Sequence, residues 1–207
     1  MGTSYQNVLV LGELADVVRA LTDLGGDAWL LPAGPGRVAV LPRENAYGYA
    51  DADAHARLLS AKLGTLAASN SVVDSDVVFI ELYRNGEHFH SYVSEQEFLV
   101  DWFIDGAGAP RYRLGGVEYP ADAPYPKGPG GADPAVFAPF GVGPVDLDRL
   151  GVALRGEGGD AFLAEDLDHS IMEALHLDPA GLRTAFRWAA EEDLPGLVRV
   201  APRADRA

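Results

Sequence analysis

The sequence predicts an α+β fold: an antiparallel sheet centred on one hairpin, two helices on its inner face, and a three-helix cluster at the C-terminal end. Three observations carry that reading. Asn85-Gly86 joins two extended runs, Val77–Arg84 and Glu87–Ser94, and a two-residue type I′ turn requires positive φ at both central residues. Ahead of it, short apolar runs and segments of helical periodicity alternate in a β-α-β-β-α-β order. That is the ferredoxin-like order of a two-layer sandwich, with the second hairpin arm as an extra strand. Behind it, leucines at helical spacing recur from Asp146 onward.

Val8–Leu11 reads as a short buried strand feeding a helix over about 13–24, where Leu14, Val17, Val18, Leu21 and Leu24 share a face. Gly25-Gly26 stops it. Ala28–Leu31 and Arg37–Leu41 are strands on either side of a Pro/Gly turn, and a loop with Asn45, Tyr47 and Tyr49 follows. Asp51 or Asp53 caps the next helix, about 54–68, with Ala56, Leu59, Leu63, Leu66 and Ala67 inward and His55 hydrogen-bonded at the edge of that face.

A two-residue loop sets the hairpin register. Arg84 faces Glu87, Tyr83 faces His88, Leu82 faces Phe89, Glu81 faces His90 and Phe79 faces Tyr92. Alternation then puts Val78, Ile80, Leu82, Phe89 and Val93 in the core. Phe79, Glu81, Tyr83, His88, His90 and Tyr92 fall on the other face.

Residues 96–104 fit a helical turn or a strand equally, and Gly115-Gly116 marks a second, smaller hairpin. From Pro120 to Pro144 the chain holds seven of its fourteen prolines and five glycines, which argues against helix and central strand. Tyr125, Val136, Phe137, Phe140 and Val142 would anchor this stretch as a loop packed along the domain. Beyond it, Asp146 opens a helix aligning Leu147, Leu150 and Leu154. Asp160 caps a second, to about Leu177, with Leu163, Leu167, Ile171, Ala174 and Leu175 inward. Asp178-Pro179 starts a third that buries Leu182, Ala185, Phe186 and Ala189, before a final strand at Leu197–Val200 and a frayed tail at 203–207. The expected organisation is a sheet domain over 1–120, a packed loop over 121–145 and a helical subdomain over 146–200.

With 31 acidic against 16 basic residues the formal charge is −15, and only Lys62 and Lys127 are lysines. Such a field repels nucleic acid and anionic lipid and favours a basic protein as partner. No run of eighteen apolar residues occurs, and the first residues lack the basic-then-apolar pattern of a secretory signal. Cysteine is absent, so disulfides, thiol chemistry and cysteine-bound metal are excluded, and the expected location is cytoplasmic. Abundant Ala, Gly, Asp and Arg beside scarce Lys resembles a high-GC bacterial proteome.

Glu81, His88 and His90 are the candidate catalytic residues. Two histidines at i, i+2 share a strand face, and Glu81 across from His90 suits acid–base work or a divalent ion. Phe79, Tyr83 and Tyr92 are the candidate binding residues around them. The competing reading is an ordinary cross-strand Glu–His pair. His88-Phe89-His90 with Glu95 shares part of the cupin metal spacing, but the preceding glycine and the later histidine motif are missing. At most three ligands would converge, without carboxylates to orient the imidazoles, so neither metal nor cofactor is expected. Glu165, His169, Glu173 and His176 share one side of a helix, yet they stretch over too many turns to hold one ion and read as a solvated acidic face. Asp51-x-Asp53 and Asp74-x-Asp76 fit a cap and a turn. No phosphate loop, G-x-S-x-G elbow or H-E-x-x-H motif is present. A helix-turn-helix around Asp178, with Arg183 and Arg187, would set Glu165, Asp166, Asp168 and Glu173 against phosphates.

Two stretches, Asp74-Ser75-Asp76 through Asn85-Gly86 and Phe162-Leu163-Ala164-Glu165 through Leu175-His176-Leu177, resemble a loosely defined family of uncharacterised, mainly actinobacterial proteins. The resemblance implies no activity and transfers no site residues. The leading expectation is a non-enzymatic interaction protein, an acidic inhibitor, immunity-type or accessory factor for a basic partner. The rival is a small enzyme or ligand-binding protein using the Glu81/His88/His90 face.

Overall fold

The central strand of the sheet, β1 (Tyr5–Leu11), is buried on both sides along nearly its whole length, so helices must pack on both faces of the sheet. The structure, a computed structural model, describes residues 2–157 and 163–202. Among them the order continues α1 (Leu14–Asp23), β2 (Ala28–Gly34), β3 (Arg37–Pro42), α2 (Ala52–Leu63), β4 (Leu66–Val73), β5 (Val77–Arg84) and β6 (Glu87–Val93). Then come β7 (Asp101–Ile104), β8 (Pro110–Leu114), β9 (Val117–Pro120), α3 (Pro134–Phe137), α4 (Leu147–Leu154), α5 (Ala164–Ala174), α6 (Phe186–Ala189) and β10 (Val198–Val200). The fold is mixed α+β. Its main sheet has seven strands in the order β10-β2-β3-β1-β4-β5-β6, every neighbouring pair antiparallel, and β7-β8-β9 form a separate small sheet.

Alternation along the strands feeds two cores. Val8, Val10, Leu30, Val38 and Val40 pack against α1 and α2 with Val17, Leu21 and Leu59. Leu9, Leu31, Leu41, Ile80 and Leu82 pack against the later helices with Leu150, Leu154, Ile171 and Met172. The two-layer expectation is therefore corrected to three layers, because β1 to β4 have apolar residues on both faces.

The helix expected to run to Ala68 ends at Leu63. Gly64 takes the left-handed conformation (φ 64°) and its N–H bonds to the Ser60 carbonyl, a glycine C-cap. Leu66 and Ala67 then enter β4, a strand absent from the sequence reading. Asp51 is the N-cap of α2, its carboxylate accepting from the Ala54 N–H at 2.9 Å.

The hairpin turn forms as expected, with Asn85 at φ 53° and Gly86 at φ 87°, and the pairs Arg84–Glu87 and Tyr83–His88 hold. Beyond them the register is corrected by one residue. Phe89 is bulged out, so Leu82 faces His90, Glu81 faces Ser91, Ile80 faces Tyr92 and Phe79 faces Val93. The slip exchanges which aromatic enters the core. Tyr92, 1% exposed, packs edge-on against Phe137 and donates its hydroxyl to the Leu154 carbonyl at 2.9 Å. Phe89 stays at the surface beneath the Arg84 guanidinium. An unpaired tyrosine hydroxyl in the core would cost roughly 1–3 kcal/mol, and the Leu154 carbonyl removes that cost.

Residues 96–104 contain both candidates, a 3₁₀ turn at Gln96–Leu99 and strand β7. The Pro/Gly stretch is anchored by fully buried Phe137 and Phe140, with Asp133 capping the single turn of α3. Its Gly130 pairs with Val93 at the edge of β6. Asp146 caps α4 through the Asp148 and Arg149 amides, but Leu147 and Leu163 are exposed rather than inward. Asp160, expected to cap α5, and the tail at 203–207 lie outside the described residues. The third helix is replaced by two short turns, Ala180–Leu182 and α6, with Ala185 extended between them (φ −104°, ψ 159°) and the Leu182 carbonyl accepting from Asn7 Nδ2 at 2.7 Å.

Candidate functional site

On the α1/α2 face three cross-strand rows span β1, β4, β5 and β6. They are Val10–Ala67–Tyr83–His88, Val8–Ser69–Glu81–Ser91 and Gln6–Ser71–Phe79–Val93. The first row lies under α2. The other two emerge past its N-terminus, where apolar side chains give way to Ser69, Ser71, Glu81 and Gln6. Asp53, in the first turn of α2, bonds the Ser69 hydroxyl, so Asp53 and Glu81 flank Ser69 from two directions. A cleft of about 330 Å³ opens there between Gln6, Tyr49, Asp53, Ser71, Phe79 and Glu81. A second cleft of about 330 Å³ lies across Phe79 and Glu81, toward Ser91, Gln96 and Gly131. Among the described residues neither lining includes a lysine or an arginine. The accumulated negative charge reaches Tyr83, whose phenol is pushed up to about 12 by burial first and by Asp53 and Glu81 next.

Of the residues expected to form one site, the structure brings together Phe79, Glu81, Tyr83 and His88 and separates the rest. His90 and Tyr92 are corrected to the opposite face, since the bulge at Phe89 reverses their alternation. The His90 ring stands edge-on to Phe137 at 5.7 Å, and its Nε2 donates to the Gly131 carbonyl at 2.8 Å. Ser91 takes the place assigned to His90. Its hydroxyl donates to Glu81 Oε2 at 2.6 Å, while His88 Nε2 lies 2.6 Å from the same Oε2 and 3.1 Å from Ser91 Oγ.

This trio is not a nucleophilic relay. A serine activated by histidine faces one ring nitrogen while the carboxylate holds the other. Here both partners crowd onto Nε2, and the serine proton is already committed to Glu81. The trio is a hydrogen-bonded knot that fixes Glu81.

Glu165, His169, Glu173 and His176 do not converge. Glu165 accepts from the Ser75 hydroxyl, His169 lies 3.5 Å from Glu173, and His176 sits past the helix at φ 56° with its Nδ1 donating to the Val142 carbonyl. Among the described residues no group of three or more histidines and carboxylates is placed to hold a metal.

The sequence reading missed a second polar site, sealed on the other face of the same strands. Tyr5 donates to Asp168 Oδ2 at 2.7 Å, and Asn70 Nδ2 does so at 3.2 Å. Asp168 is fully buried, and burial pushes its carboxyl up to about 6 against the opposing pull of Tyr5, Asn70 and the Arg183 guanidinium. Burial, with Asp168 beside it, likewise raises the Tyr5 phenol. Asn7 Oδ1, Asn70 Oδ1, Asp168 Oδ1 and Thr184 Oγ1 have no hydrogen-bond partner among the described residues. The available signal was Ser69-Asn70-Ser71, three polar residues in succession amid alanines and valines.

No family model matches the chain, and neither the curated proteins nor the solved structures yield a match. No helix among the described residues is long and apolar enough to cross a membrane. The functional reading therefore rests on the geometry of the open face.

Proposed function

We propose that this protein is a non-enzymatic interaction protein, of inhibitor, immunity or accessory type, that receives a cationic partner on the open face of β4, β5 and β6. One observation carries the reading: Asp53 and Glu81 line one cleft and Glu81 also lines an adjoining one, and among the described residues neither lining contains a lysine or an arginine to neutralise them. The formal charge of −15 supports a basic protein over nucleic acid or anionic lipid as that partner, and a cytoplasmic setting agrees with the absence of cysteine. The strand order β2-β3-β1-β4 with α1 and α2 supports a ferredoxin-like N-terminal layer, and α4, α5 and the turns over 180–189 support a helical C-terminal cluster. The resemblance to actinobacterial proteins fits the composition and adds no activity. The enzyme reading loses its support once His90 leaves the face and Ser91 is bound to Glu81.

An immobilised sample should retain an arginine- and lysine-rich peptide at low salt and release it as ionic strength rises, because such contacts are screened. Glu81→Lys should abolish retention. Equal retention at low and high salt, or retention unaltered in Glu81→Lys, would overturn the reading.

A further inference from the structure

Gln6 makes the first cleft more than a patch of negative charge. Its neighbours Tyr5 and Asn7 bond to Asp168 and Leu182 on the sealed face, so the pleat turns Gln6 toward the cleft it lines. Gln6 is 6% exposed. Its Oε1 accepts from the Ala50 amide at 3.2 Å, and its Nε2 has no hydrogen-bond partner among the described residues. A buried donor left this way is costly and marks a place for an acceptor. The exposed side of the cleft makes the opposite demand. Glu81 Oε2 and Asp53 Oδ1 are engaged, whereas Glu81 Oε1 and Asp53 Oδ2 take no protein hydrogen bond among the described residues.

A ligand that answers both demands carries a charged nitrogen and a neutral oxygen close together. A bare ammonium would leave Gln6 unanswered, and a neutral polyol would leave the carboxylates unanswered. Phe79 and the half-exposed Tyr49 supply flat walls suited to the C–H face of a ring. The volume is at the low end of small-molecule sites, enough for one ring.

We propose that this cleft binds a small organic cation of the amino-alcohol class, a charged nitrogen with a hydroxyl on a nearby carbon as in an amino sugar, the nitrogen between Asp53 and Glu81 and the oxygen on Gln6 Nε2. The proposal rests on the reading of this face as cation-binding and adds the neutral half of the ligand.

The test is a titration of isotope-labelled protein with glucosamine, glucose and cyclohexylammonium, following by NMR the backbone amides of Ala50 and Ser71, which line the cleft, and in the parent also the Gln6 side-chain amide. Glucosamine should give a saturable shift, and each of the other probes should bind about tenfold more weakly, as expected when one strong contact is lost. Glu81→Gln should weaken glucosamine by about tenfold. Gln6→Leu, checked for intact fold by circular dichroism, should weaken glucosamine and leave cyclohexylammonium unchanged. Cyclohexylammonium or glucose binding as tightly as glucosamine would overturn the proposal. So would the absence of any saturable shift; if the basic peptide is still retained, the cationic-partner reading survives without the amino-alcohol cleft, and if it is not, both fall.

Discussion

Strand β4 carries Ser69-Asn70-Ser71 through the middle of the sheet, and its two faces meet opposite surroundings. Asn70 points under α5, where Asp168 is fully buried and only other groups of the protein are within reach as partners. Ser69 and Ser71 point past the end of α2, where Asp53 and Glu81 stay open to solvent. The strand chemistry is the same on both sides, and the cover differs. Sealed polar groups bear on stability, because each unsatisfied atom costs free energy. Open ones bear little on stability and remain available for binding.

The largest expected effect lies on the sealed side. Asp168→Ala strands the Tyr5 hydroxyl, leaves the Asn70 amide only its long bond to the Leu182 carbonyl, and should cost about 3 kcal/mol in urea unfolding, against under about 1 kcal/mol for Glu81→Ala. Equal losses would break the comparison.

The next effect is a pH dependence. Asp168 has a folded-state value of about 6 against an ordinary 3.8, so the fold favours its protonated form. Its contribution is full below about pH 4 and is lost as pH rises through about 6, a difference of roughly 2–3 kcal/mol. Asp168→Asn cannot ionise. Its stability relative to the parent should rise by that amount between pH 4 and pH 7, and parallel curves would refute the assignment.

A smaller effect belongs to the strap beside the second cleft. Gly131 has φ +71°, and a Cβ there would lie 2.0 Å from the Ser91 carbonyl oxygen. Gly131→Ala should cost about 1–2 kcal/mol and release His90, read from its imidazole NMR signals. The smallest change should come from Glu81→Gln, within about 0.5 kcal/mol of the parent in stability. That result would sharpen the contrast, since the same substitution is the one expected to weaken ligand binding.

What the sequence disclosed was local. Asn85-Gly86, the Asp51 and Asp146 caps and the Phe137/Phe140 anchors each act through a neighbour or a single burial, and all appear in the structure. Strand β4 was hidden because alanine favours helix and its middle is polar. Only pairing with β1 and β5 makes it extended, and tertiary context overrides propensity there. The bulge at Phe89 has no compositional mark, yet that one residue exchanged His90 for Ser91 in the site. Asp168 looked like one more surface acid in an acidic helix. Its partners Tyr5 and Asn70 are distant in sequence, and nothing in its immediate neighbours announces them.

The Gly128–Gly131 stretch has a consequence for how the protein behaves at high concentration. A sheet edge with a flat row of unpaired amides is a template for another chain and a starting point for aggregation. Along β6 the Val93 N–H and C=O are both taken by Gly130, and the Gln96 N–H is taken by Gly128. The other half of the strand is buckled at Phe89 and carries Glu87 and His88. At the far side of the sheet, β10 is only three residues long. A Pro/Gly-rich segment expected to pack along the domain is the selvedge of the sheet, holding its longer edge closed to the addition of further strands.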